Sequence, residues 1–205
     1  MISDDAVSEV IGFSLILAMI ILAVAILSVS AVPVITEEQE QSRNKNVLRQ
    51  FAAFKYDLDT VLAAKNTGVY GRRIISLVPE RGHVSALTRA AAPVSPGRLS
   101  MERGVPAVLR DNAAYYPVIF TYQSDNRYAE NLVVTLHAGE LTAEPSGFTL
   151  SRVSGNNGAH LIVVADSSFV PWAVSGTDQV IVEYRLQTIL QSSSETLYVF
   201  DFSIR

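Results

Sequence analysis

Hydrophobic and polar positions divide this chain into three regimes. From Val10 to Thr36 no charged residue occurs and almost every position is apolar. About 20 such residues cross a bilayer as a helix, because hydrocarbon offers the backbone no partner except the helix itself. After Pro33 the chain turns polar, Thr-Glu-Glu-Gln-Glu-Gln-Ser-Arg-Asn-Lys-Asn, without glycine or further proline. Then Val47, Phe51, Phe54, Leu58, Val61 and Lys65 recur at spacings of four, three, four, three and four, which is one face of an α-helix. Leu48 and Leu62 widen that stripe, and Lys55, Asp57 and Asp59 flank it. Asn66-Thr67-Gly68 reads as the stop, with Gly68 free to take the left-handed conformation.

The pattern predicts one helix over residues 4–66, on the order of 90 Å long at about 1.5 Å per residue. Pro33 lacks a backbone donor and presses on the preceding turn, so a helix bend is expected there. The alternative is two helices with a loop from Pro33 to Ser42.

Past Gly71 the period changes to two. Val118, Phe120 and Tyr122 alternate with Ile119, Thr121 and Gln123. The same holds for Leu132 to His137, Val180 to Gln187 and Leu197 to Ile204. Leu161 to Ala165 is apolar throughout, as for a strand covered on both faces. Ile74 to Val78 and Phe148 to Val153 are further candidates, and Ala90 to Pro106 reads as irregular with one short strand near Leu99. The expected fold class is α+β: a long hydrophobic N-terminal helix followed by an antiparallel β-sandwich-like globular domain, or an open barrel. The expected divisions are a leader or cap over 1–5, a membrane or core helix over 6–36, its amphipathic continuation over 37–68 and a β-rich domain over 70–205.

Composition narrows the chemistry. The chain has no cysteine, which excludes disulfides, thiolate metal sites and a cysteine nucleophile. No Asn-x-Ser/Thr acceptor occurs. The start, Met-Ile-Ser-Asp-Asp, is acidic and the apolar run is about twice the length of a signal-peptide core, so a removable secretory signal is not expected. Arg43, Lys45 and Arg49 follow the run and no Lys or Arg precedes it, a bias toward a cytoplasmic C-terminal domain.

The segment Ala6-Val7-Ser8-Glu9-Val10-Ile11-Gly12-Phe13, followed by the apolar run, resembles the N-terminus of archaeal type IV pilin-like proteins, a family related in plan to archaellins. Many of those read Ala-Val-Ser-Pro-Val-Ile-Gly, and some carry Glu in place of Pro. The resemblance covers residues 4–35. It implies a leader removed by a prepilin peptidase, storage in membrane lipid, and export through a pilus assembly platform. It also implies packing of the helices of many copies into a filament core, with the β domain outside the cell; this overrides the charge bias. Residues Ala6 to Phe13 would carry assembly and register. Cleavage before Asp5 would make Glu9 the fifth residue, where type IV pilins usually keep a glutamate that pairs with a neighbour's amine. The family's leaders usually carry Lys or Arg before the cut, and Met1 to Asp5 has neither. The runner-up is a single-span anchored surface protein whose β domain binds a ligand or envelope partner without polymerising.

No catalytic, cofactor-binding or metal site is expected. His83, His137 and His160 have no ligand spacing, and no Gly-x-Ser-x-Gly elbow or phosphate loop occurs. Asp125 with Glu130, or Asp166 with Asp178, could offer oxygens to calcium, but turn chemistry accounts for these aspartates better. Residues 72–110 hold seven arginines, Arg72, Arg73, Arg81, Arg89, Arg98, Arg103 and Arg110, against two glutamates. Arg72, Arg73, Arg81 and Arg89 are candidate anion contacts. No aromatic interleaving supports nucleic acid. The favoured reading pairs this block with the acidic 111–205 region. Trp172 is expected in the core.

Overall fold

The computed structural model describes residues 4–77, 97–105, 108–110, 113–151, 154–155, 158–165, 169–176, 179–191 and 195–205. The chain begins as one helix, α1 (Asp4–Ala64), which continues unbroken through Pro33. The stop comes two residues earlier than the pattern predicts. Lys65 itself turns left-handed (φ 51°), its amide donates to the Leu62 carbonyl at 3.3 Å, and its side chain is exposed rather than on the buried face. Gly68 is also left-handed (φ 83°), as expected, and its amide donates to the Leu186 carbonyl at 2.7 Å.

Among the described residues twelve strands follow in one connected sheet: β1 (Tyr70–Ser76), β2 (Gly97–Arg103), β3 (Val108–Arg110), β4 (Ala113–Ser124), β5 (Val133–His137), β6 (Glu140–Glu144), β7 (Phe148–Leu150), β8 (Ser154–Gly155), β9 (Gly158–Ala165), β10 (Trp172–Gly176), β11 (Gln179–Gln191) and β12 (Glu195–Ile204). The main path runs β1-β11-β12-β9-β4-β5-β6-β7. The expected strand near Leu99 is β2, which pairs with β4 and β10.

Strand β4 joins two pairing networks. Tyr115 to Pro117 pair with β9, whereas Val118 to Ser124 pair with β2, and Ile119 to Gln123 also with β5. The change falls at Pro117, the one residue of the strand that cannot donate to a ladder. Among the described strands all pairings are antiparallel except β9 with β12, which is parallel, a departure from the antiparallel expectation. The chain leaves β9, visits β10 and β11, and returns by β12, so the two neighbours run the same way. Leu161 to Val164 are buried at every position because Ile162 and Val164 face the main core, while Leu161 and Val163 pack with Ala138, Leu197 and Val199 in a second cluster on the other face.

The core forms around α1. Val47, Phe51, Phe54, Leu58, Val61 and Leu62 are buried with Leu99, Phe120, Val134, Val182, Leu186 and Phe200. Phe54 packs edge-on to Phe120 at 5.3 Å and beside Tyr184 at 5.7 Å, touching both networks with one ring. Opposite Tyr184 in register stands Gly71, where a Cβ would lie 2.1 Å from the tyrosine ring. Only glycine admits that approach. Trp172 is half-buried against this core, 6.3 Å from Phe120.

Candidate assembly helix and its neck

The two halves of α1 have opposite surroundings. Fifteen large apolar side chains from Val10 to Val34 are 47–78 % exposed, with none of the described β-domain residues over them. Among the described residues, this is the one helix long and apolar enough to cross a membrane. Three of its hydroxyls find partners within the helix: Ser14, Ser30 and Thr36 each donate to the carbonyl four residues back, at 2.8 Å. Such back-bonding lets a hydroxyl sit in an apolar phase. Of the resemblance residues, Ala6, Val7, Ser8 and Glu9 lie in the first turns of the helix, and Val10, Ile11 and Phe13 are exposed on it. Gly12 has open space where a Cβ would stand.

Burial begins at Thr36, and it begins with polar residues. Thr36 and Glu40 are each 2 % exposed and Arg43 is fully buried. They extend the Val47–Phe51–Phe54–Leu58 stripe toward the N-terminus at spacings of four, three and four. The β4–β5 loop is built around them. The Glu40 carboxylate accepts three successive backbone amides: Arg127 on Oε1 at 2.8 Å, and Tyr128 and Ala129 on Oε2 at 2.9 and 2.8 Å. Consecutive amides turned to one anion form a concave nest, here filled by the chain's own carboxylate. Arg43 Nη2 donates to Asn126 Oδ1 at 2.6 Å, and Asn126 Nδ2 and Asn44 Nδ2 both donate to the Glu130 carbonyl, at 2.7 and 3.2 Å. Ser124 and Leu132 close the loop base through the bonds Leu132 N to Ser124 Oγ (2.7 Å) and Ser124 N to Leu132 O (2.9 Å). Burial pushes the Tyr122 phenol up from its usual range, and the nearby Arg43 cation partly offsets this.

An open groove of about 450 Å³ flanks the neck, lined by Gln41, Asn44, Lys45, Leu48, Glu130 and Pro145 among others. Among the described residues no three His, Asp or Glu side chains converge as a metal site would require. Asp125 and Glu130 are exposed, and Glu130 serves the loop through its backbone carbonyl. His160 Nδ1 lies 3.1 Å from the Tyr198 hydroxyl with the two rings stacked. Asp166, Asp178 and His83 lie outside the described residues.

Among the described residues, the arginines of the block have separate surroundings. Arg73 binds Asp57 of α1 through Nε at 2.8 Å and through Nη2, and also reaches the Ala53 carbonyl at 3.4 Å. Its partner is thus on the helix and not in the 111–205 region, a correction to the expected pairing. With Gln50 Oε1 accepting the Ser76 amide at 2.6 Å, it fastens β1 to the helix. Arg72 is exposed and stands opposite Glu183 in register. Arg103 lies over the Tyr116 ring at 4.6 Å. Arg98 is exposed on β2, Arg110 belongs to β3, and Arg81 and Arg89 lie outside the described residues.

Reading from residue types overlooked Glu40 and Arg43 because Glu37, Glu38 and Glu40 look alike in a polar run. The signal that singles them out is phase: positions 36, 40 and 43 continue the core stripe. A protein-family model, "Family of unknown function (DUF7289)", matches residues 6–72, a stretch that spans nearly all of α1 and the start of β1. No curated protein and no solved structure matches the chain.

Proposed function

We propose that this chain is a structural, non-catalytic subunit of an archaeal type IV pilus-like surface filament. It is stored in a membrane through its N-terminal helix and assembled through the same helix, with the β domain outside the cell. The observation that carries the reading is a single helix, bare and apolar over Val10 to Val34 and buried in its own domain from Thr36 onward. Burying one large apolar side chain stabilises by about 1.5–3 kcal/mol, so fifteen half-exposed ones represent on the order of 20 kcal/mol. That exceeds the stability of an ordinary domain, about 5–15 kcal/mol. The bare half therefore needs an apolar phase, which lipid supplies before assembly and identical helices supply after it. The Ala6 to Phe13 motif supports the second phase. The matched family stretch covers nearly all of the helix and reaches only the start of β1.

The test is to shear cells, purify extracellular filaments and identify their subunits by mass spectrometry, with negative-stain microscopy of wild-type and Glu9→Ala cells. The chain is expected as a repeating component, with filaments lost or sparse in the variant. Retention of all the protein in the membrane fraction, monomeric in detergent, would refute assembly and leave the anchored surface protein. Unchanged filaments containing the variant would remove the role of Glu9.

A further inference from the structure

The neck carries a feature that filament packing does not use. The β4–β5 loop is not placed at random along α1: its stem residues Asn126 and Glu130 bond to Arg43 and Asn44, while its tip, Arg127 to Ala129, bonds to Glu40. Glu40 is the residue of this set nearest the apolar run. The tip therefore points toward the bilayer end of the helix. Thr36, the last residue of the uncharged run, is already covered.

Lengths fix the depth. The run of 27 uncharged residues from Val10 to Thr36 spans about 40 Å at about 1.5 Å per residue. The hydrocarbon core is about 30 Å thick and the bilayer with its headgroups about 40–45 Å. The run thus reaches from one headgroup layer to the other, and Thr36 falls within a headgroup layer. Glu40 lies one turn further, about 6 Å along, at the outer edge of that headgroup layer. Tyr128, clamped there by its own amide, keeps its side chain 44 % exposed. A half-exposed tyrosine at that depth matches the amphipathic rings that concentrate at membrane interfaces.

We propose that the tip of the β4–β5 loop, with Tyr128 at its centre, rests in the headgroup layer of the bilayer that holds α1 and forms a second membrane contact. This rests on the membrane-stored reading of the helix. Charge does not drive the contact, because exposed Arg127 is surrounded at the neck by exposed Glu37, Glu38, Asp125 and Glu130. The ring and the loop backbone carry it, and its partner is a zwitterionic lipid surface. The device holds the β domain at a fixed height and tilt over the membrane while the subunit waits for export.

The absence of cysteine makes the test direct. Full-length single-cysteine variants Tyr128→Cys, Ala129→Cys, Leu22→Cys and Tyr56→Cys are labelled with the fluorophore NBD in phosphatidylcholine nanodiscs. Nitroxide lipids bearing the quencher on the headgroup or deep in the acyl chain then report depth. Position 22 is expected to be quenched from the acyl chain and positions 128 and 129 from the headgroup. Position 56, exposed on the helix 16 residues beyond Glu40, should respond to neither. Quenching at 22 without quenching at 128 and 129 overturns the proposal and leaves the membrane helix standing. Loss of quenching at 22 removes the membrane reading, and the proposal with it. Headgroup quenching at 128 that arises only after phosphatidylglycerol is added overturns the charge-independent contact.

Discussion

Glu40→Gln keeps the shape of the side chain and removes its charge, which isolates the electrostatic part of the neck clasp. Three amides now share two carboxylate oxygens. Glutamine offers one oxygen, and its amide nitrogen donates. With that oxygen turned to Tyr128 and Ala129, the Arg127 amide meets another donor and loses its bond. A hydrogen bond to a charged acceptor contributes about 1.5–3 kcal/mol and a neutral one about 0.5–1.5. One lost and two weakened bonds come to about 4–5 kcal/mol, reduced to about 2 because the exposed loop tip readmits water. At 1.4 kcal/mol per factor of ten, 2 kcal/mol speeds local opening about 30-fold. Hydrogen exchange followed by mass spectrometry on the nanodisc-embedded chain reads this in the peptide covering 125–132. Amides of β12, buried in the core, should stay slow, since opening there needs far more of the fold to come apart. Glu38→Gln is the control, an exposed neighbour of the same type. Exchange at 127–129 within about threefold of wild type, or an equal change in the control, refutes the nest as the source of the loop's order.

Gly71→Ala should destabilise the β domain by about 2 kcal/mol, because the new methyl displaces a Tyr184 ring already held by Phe54 and Phe200. Urea unfolding in detergent measures this, and a change below about 0.5 kcal/mol refutes the close contact as drawn. Alkaline pH provides a third check. Burial raises the phenols of Tyr122, Tyr184 and Tyr198 above the ordinary 10.0. The folded state therefore holds these protons more tightly than the unfolded chain. Their contribution is fully present below pH 10 and is lost as pH rises past it. Ultraviolet titration of tyrosinate should show these three ionising above pH 10, together with unfolding. Ionisation of all eight tyrosines near pH 10 in a folded protein refutes their burial.

Much of this structure is legible in local pattern. Val47, Phe51, Phe54, Leu58 and Val61 announce the buried helix face because a helix returns a side chain to the same side every three or four residues. Val180, Val182, Tyr184 and Leu186 announce a half-buried strand by the same logic at period two. Strands β6 and β10 were harder to see. Leu141 to Ala143 is short and bounded by turn residues on both sides, and Trp172 to Gly176 has only half-buried positions facing inward. The neck was invisible by residue type, since a glutamate bound for a nest of amides reads like its two solvated neighbours.

The amino-acid sequence alone determined that one helix would be bare and apolar in its first half and amphipathic in its second, with strands to follow. Those outcomes depend on residues three or four positions apart, or two. Tertiary structure alone decided that β4 would exchange partners at Pro117, that β9 and β12 would run parallel, and that Glu40 would meet Arg127 to Ala129. A strand edge and a carboxylate each accept any partner with free hydrogen-bonding groups. Which one they find depends on how distant segments, some ninety residues apart in the case of Glu40, are brought together by the packing of the core.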